Sequence, residues 1–199
     1  MVNEFSEVMT LLKESRVLKD IILIGSWAFI LYREKYTHGN ELMTLRTRDI
    51  DILVGSEKKK KGVNLKELFE SKGFITDFRG DAGYMIFMHP ELNIEFLIDL
   101  VGRDNEKPYE ITDWQVNAQK IRYLSILNEN TIVVQYKEYR IRIPKPAAFT
   151  LQKILILSKR KKSKRDRDIE QIKQIIVLLE KEGLNNDLKK IYKKMIPGW

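Results

Sequence analysis

The chain has 199 residues, 43% of them hydrophobic, and a formal net charge of +8. That is enough to bury a sizeable core as one large domain or two small ones, and the composition excludes a disordered chain. With no cysteine, disulfides and zinc–thiolate sites are excluded, and two histidines, His38 and His89, do not suggest a histidine-rich metal site, so any metal would be a hard ion held by oxygen.

Residues 3–19 carry Phe5, Val8, Met9, Leu12 and Val17 at mostly helical spacing, which predicts a first helix. This mixed, amphipathic N-terminus does not read as a signal peptide, and no apolar run reaches bilayer-spanning length. A cytoplasmic protein without a membrane partner is expected. "IILIG" (21–25) reads as a short buried strand. The "SWAFILYREK" that follows is a helix with Ser26 as its N-cap, apolar on nearly every face and therefore interior. A loop leads to the strand "DIDILV" (49–54). "NLKELFESKGF" (64–74) reads as a helix ended by Gly73. Apolar stretches follow near 74–78 and 84–88, and at "LNIEFLIDL" (92–100). Residues 110–143 are β-rich, with "TIVVQ" and "YRIRI" as the clearest strands. "PKP" (144–146) marks the best boundary in the chain, because proline there ends a strand and opens a helix. Helices are predicted over 147–158, 164–182 and 186–195. The expected architecture is α/β (α+β): a unit with a mixed sheet over residues 1–143 and a C-terminal helical unit over 144–199.

The stretch "TRDIDILV" places Asp49 and Asp51 on one strand face, with Ile50, Ile52 and Val54 on the other. Two adjacent carboxylates repel and resist desolvation. They could cap a loop, pair with Arg46 or Arg48, or hold a cation such as Mg²⁺ for phosphoryl transfer. Upstream, Gly25 and Ser26 stand at a strand-to-helix turn, where free N–H groups and the helix dipole make an anion site; an ordinary capped turn is the alternative. In "LNIEFLID", alternation puts Asn93, Glu95, Leu97 and Asp99 on one face. Glu95, embedded in a strand-forming run, is costly there unless paired or liganding. Asp99, at the end of the run, is expected to be solvated.

Much of the charge excess sits in "KKKK" (58–61) and "KRKKSKR" (159–165). Such runs fit a polyanionic partner, or they keep the protein soluble. Trp114, Trp199 and Tyr136 read as packing residues, and the histidines as ordinary loop residues.

Gly25-Ser26, Asp49-x-Asp51 and a later Glu95 resemble the DNA polymerase beta-like nucleotidyltransferase superfamily. "TRDIDILV", "IEFL" and "IPKPAAFTLQKILILSKRKKSKRDRDIEQI" look like the small prokaryotic GSLPV-type nucleotidyltransferases and related abortive-infection toxin-like enzymes. The resemblance implies that Asp49, Asp51 and Glu95 are catalytic and ligate Mg²⁺ (or Mn²⁺), with Glu95 a metal ligand or general base, and that Gly25 and Ser26 hold nucleotide phosphates. Trp27 stands where the family usually has a small residue. In the helical part it implies a nucleotide-binding Lys153 and an Arg167-Asp168 pair followed by Gln171. On the 164–182 helix, Ile169, Ile172, Ile176 and Leu179 form the expected apolar stripe with Asp168 at its edge. Asp168 is then a salt-bridge partner or a cleft residue, and Lys153 a snorkelling lysine or a cleft residue.

The function this implies is transfer of a nucleoside monophosphate from an NTP to an acceptor hydroxyl on RNA (such as tRNA) or protein. Lys161, Lys162 and Lys164 would bind the acceptor. A toxin-like role with an antitoxin partner belongs to the same expectation. The alternative is an inactive module of the same fold that binds RNA or a partner protein.

Overall fold

The computed structural model describes residues 2–55, 62–100 and 107–195. "KKKK" and Trp199 lie outside them. The elements run α1 (Val2–Glu14), β1 (Ile21–Ile24), α2 (Gly25–Lys35), β2 (Asp49–Val54), α3 (Leu65–Glu70), β3 (Ile75–Arg79), β4 (Tyr84–Met88) and β5 (Asn93–Asp99). They continue through β6 (Tyr109–Ile111), β7 (Val116–Ile121), α4 (Ser125–Glu129), β8 (Thr131–Tyr136) and β9 (Tyr139–Pro144) to α5 (Pro146–Ile156), α6 (Lys162–Lys181) and α7 (Asn185–Met195).

A seven-stranded mixed sheet has the core order β1-β2-β5-β4-β3. β1 runs antiparallel to β2, β2 parallel to β5, and β4 antiparallel to β5. The far edge of β5 is shared. Its first half pairs with β4 through Ile86↔Glu95, and its second half pairs with β7 through Leu97↔Gln119. The sheet forks there. Asn117 bridges the fork, accepting from the Met85 N–H at 2.7 Å and donating to the Gly83 carbonyl at 3.2 Å.

The two sheet faces differ as strand alternation requires. Ile50, Ile52, Ile94, Phe87 and Phe96 are buried in the core. Asp49, Asp51, Glu95 and Tyr84 belong to the opposite face, since register partners in a pleated sheet point the same way. Helix α2 is interior as its composition predicts, with Trp27, Ala28, Phe29, Leu31 and Tyr32 buried. The Tyr32 hydroxyl donates to the Pro144 carbonyl at 2.9 Å, tying α2 to the end of β9. Phe149 of α5 packs edge-on against Tyr32 with ring centroids 5.8 Å apart. The 143/144 position falls at the change from β9 to α5, and the hydrophobic core is continuous across it.

Several local expectations are corrected. The first helix ends at Glu14 rather than near 19, because Arg16 takes a left-handed conformation (φ 61°) and the Val17 N–H closes back on the Leu12 carbonyl at 2.9 Å. Ser26 does not cap α2: the helix begins at Gly25, Ile24 holds the N-cap position, and no side chain caps it. The 64–74 helix shortens to Leu65–Glu70, capped by Asn64, whose side chain accepts from the Glu67 N–H at 3.0 Å. A short helix, α4, interrupts the β-rich segment. On α6, Ile175 is buried and Ile176 is 44% exposed, so the apolar stripe runs through Ile172, Ile175, Leu178 and Leu179.

Candidate active site

The site is built around the join of β1 and α2. Gly25 has φ +62°, a left-handed conformation natural to glycine. Register pairs its neighbour Ile24 with Asp51. A Cβ on Gly25 would lie 2.0 Å from Asp51 Oδ2, so the carboxylate occupies the space a side chain would take. Asp51 in turn pairs with Glu95 across the parallel β2–β5 ladder, and Asp49 pairs with Asn93. The Asn93 amide donates to Asp49 Oδ1 at 2.9 Å. The Arg48 guanidinium donates to the Pro90 carbonyl rather than to an aspartate.

Burial first, then the Glu95 and Asp49 carboxylates, raise the Asp51 carboxyl to about 6. Lys153 and Arg160 lie close enough to pull it back down. Glu95 is also raised, first by burial, with Arg79 and Lys164 opposing. The Arg79 guanidinium stands 3.4 Å from Glu95 Oε1. Asp99, at the end of β5, is half-buried, and its Oδ1 accepts from the Leu124 N–H at 2.6 Å, holding the turn into α4.

The helical part contributes cations to this face. Lys153 and Asp168, 7% and 5% exposed, form a buried hydrogen-bonded ion pair between α5 and α6. The Lys153 ammonium also lies 4.9 Å from the centre of the Phe149 ring. Burial lowers the Lys153 pKa, and Asp168 opposes that shift. Arg160 Nε approaches Asp168 Oδ2 at 3.1 Å. Asp168 is thus fully interior rather than at the edge of the α6 stripe, because α5 packs over it. The Gln171 side-chain amide, also buried, has a nitrogen without a hydrogen-bond partner. Lys161, Lys162 and Lys164 are exposed at the start of α6. Trp27 does not narrow the site: it is 5% exposed and stacks on Phe5 at 3.6 Å in the core.

Two residues escaped the sequence reading. Arg160 was submerged in the basic run, and only the α5–α6 packing separates it from its neighbours. Arg79 ends β3 just before the "GDAG" turn. Its approach to Glu95 depends on the β3-β4-β5 pairing, though the hairpin-like turn was a usable signal.

Asp49 and Asp51 suit a hard divalent cation. An acid that is desolvated and crowded by like charge gains most from a cation beside it. Among the described residues, no group of three or more His, Cys, Asp or Glu side chains stands ready to enclose an ion. Glu95 is instead engaged by Arg79.

The structure is thus a mixed α/β protein whose sheet carries adjacent acids beside a glycine turn, with Lys153 and Arg160 close to them. The chain belongs to the family described as Nucleotidyltransferase, whose model matches residues 3–197. No curated protein matches. Among solved structures, the chain is similar to an antigenic nucleotidyltransferase-like protein from Paracoccidioides brasiliensis, with 17% identity over 87% of this chain and 75% of that one and a TM-score of 0.46. It is also similar to the antibiotic-resistance factor ANT(2'')-Ia, with 13% identity over 96% of this chain and 95% of that one and a TM-score of 0.44. No helix among the described residues is long and apolar enough to cross a membrane.

Proposed function

We propose that the protein is a Mg²⁺- or Mn²⁺-dependent enzyme that moves a nucleoside monophosphate from an NTP to an acceptor hydroxyl. One observation carries this reading: the Asp51 carboxylate is seated against the Cα of Gly25, with Asp49 and Glu95 on the same sheet face. Asp49 and Asp51 would hold the ion, which when bound would neutralise phosphate charge and align the attacking and leaving oxygens.

The remaining work falls to the chain itself. The turn at Gly25 and Ser26 offers backbone N–H groups to the β and γ phosphates beside the Asp51 carboxylate that occupies the open side of Gly25. The acceptor hydroxyl oxygen attacks the α-phosphorus, and the bond from that phosphorus to the β-phosphate's bridging oxygen breaks. Pyrophosphate leaves, and Glu95 takes the hydroxyl proton. A carboxyl raised by burial suits that task. Lys153, oriented by Asp168, and Arg160 oppose the charge on the triphosphate. The exposed Lys161, Lys162 and Lys164 favour an extended polyanionic acceptor such as RNA.

Incubation with each labelled NTP, Mg²⁺ or Mn²⁺, and either total RNA or lysate protein tests the reading and identifies donor and acceptor together. Transfer to RNA is expected; no transfer to either pool contradicts it.

A further inference from the structure

A cavity of about 270 Å³ opens at the fork where β5 changes partner from β4 to β7. Arg79, Tyr84, Ile86, Glu95, Phe96 and Gln119 line it. Arg79, Tyr84, Ile86 and Glu95 follow one another across register pairs, and Gln119 pairs with Leu97 of the same β5 face. The cavity therefore opens on the sheet face that carries Asp51, and Glu95 is the residue common to cavity and acidic pair.

We propose that this fork cavity is the acceptor pocket and that it takes the hydroxyl-bearing end of a nucleic-acid strand. Arg79 couples its occupation to completion of the acidic site. A phosphate next to the acceptor hydroxyl draws the Arg79 guanidinium off Glu95, and Glu95 is then available beside Asp51. The inference rests on the metal-dependent transfer proposed above.

The lining fits such an end. A guanidinium presents paired donors to a phosphate better than to a single carboxylate oxygen. Tyr84 offers a ring on which a base can stack, and Gln119 an amide that can both donate and accept. Exchange is feasible because the Arg79–Glu95 pair, at 3.4 Å with side chains 51% and 29% exposed, is a weak, partly solvated contact. A peptide hydroxyl brings no phosphate and leaves the pair closed.

The test is Mn²⁺ binding to the full chain without NTP, followed by the electron paramagnetic resonance of the free ion. The probes are a ribodinucleoside monophosphate, the matching nucleoside, and a serine-containing peptide. The dinucleotide should tighten Mn²⁺ binding by about fivefold or more, within the usual range of site-to-site coupling, while nucleoside and peptide leave it unchanged. Arg79→Ala should bind Mn²⁺ as tightly as the dinucleotide complex of the wild type and show no further response; Arg79→Lys should retain part of the coupling. The proposal is overturned if the dinucleotide leaves the wild-type Mn²⁺ affinity unchanged, if Arg79→Ala keeps the full coupling, or if the peptide reproduces it. A chain that binds no Mn²⁺ under any of these conditions contradicts the metal-dependent reading itself.

Discussion

Gly25 and Asp51 exclude one another's side chains: the Asp51 carboxylate lies where a Cβ on Gly25 would stand, 2.0 Å from its Oδ2. Gly25→Ala therefore carries two costs. The left-handed conformation at φ +62° costs a non-glycine residue about 1–2 kcal/mol, and Asp51 must also move. The variant should lose about 1–3 kcal/mol of stability in urea melts and nearly all transfer activity. Wild-type turnover in Gly25→Ala would contradict the seating of Asp51.

Asp51→Asn should abolish transfer and stabilise the metal-free protein at neutral pH. The folded-state pKa of about 6 lies above the ordinary 3.8, so ionising Asp51 opposes folding. That penalty is absent below about pH 4, grows between about pH 4 and 6, and is complete above it, at no more than about 3 kcal/mol. Urea melts in chelator at pH 4 and pH 7.5 read the difference. The gain should appear only at the higher pH; a loss of stability there would show that the charge serves the fold.

Asp168→Asn leaves the Lys153 ammonium buried beside Arg160 without its counter-charge. Breaking a buried pair from one side typically costs about 3–5 kcal/mol, whereas replacing both partners with apolar residues costs far less. The double variant Lys153→Met with Asp168→Leu should therefore melt closer to wild type than Asp168→Asn. Calorimetric titration of an NTP separates function from folding: Lys153→Ala should weaken binding, and less so at high salt, where screening already reduces charge contacts.

Changing Lys161, Lys162 and Lys164 together to Ala should weaken RNA binding across sequences. Each lost phosphate contact removes about one unit from the slope of log affinity against log salt, so the slope should flatten by up to about three units. Filter binding at several salt concentrations measures it. Equal slopes for wild type and variant would mean that the run is solvated charge alone.

What the sequence made legible was local periodicity. The two-residue alternation put Asp49 and Asp51 on one face of β2 and Glu95 on the face of β5 shared with Asn93, and the apolar surface of α2 placed it inside. What it hid was register and packing. The contact of Gly25 with Asp51 depends on Ile24 pairing with Asp51 across two antiparallel strands. The Arg79–Glu95 pair needs three strands in register, and the fork in β5 is a property of the sheet alone. Asp168 read as an edge residue because helical phase says nothing of the helix that will cover it. Arg16 ended α1 without the glycine that usually signals such a turn.

The central claim is that the face bearing Asp51 transfers a nucleoside monophosphate. The most direct measurement compares an NTP labelled at the α-phosphorus with one labelled at the γ-phosphorus, using RNA as acceptor, Mg²⁺, and wild type beside Asp51→Asn. The account predicts label on the acceptor from the α-labelled donor alone, with pyrophosphate released, and none from Asp51→Asn. Label arriving from the γ-phosphorus, or undiminished α-transfer by Asp51→Asn, would contradict it.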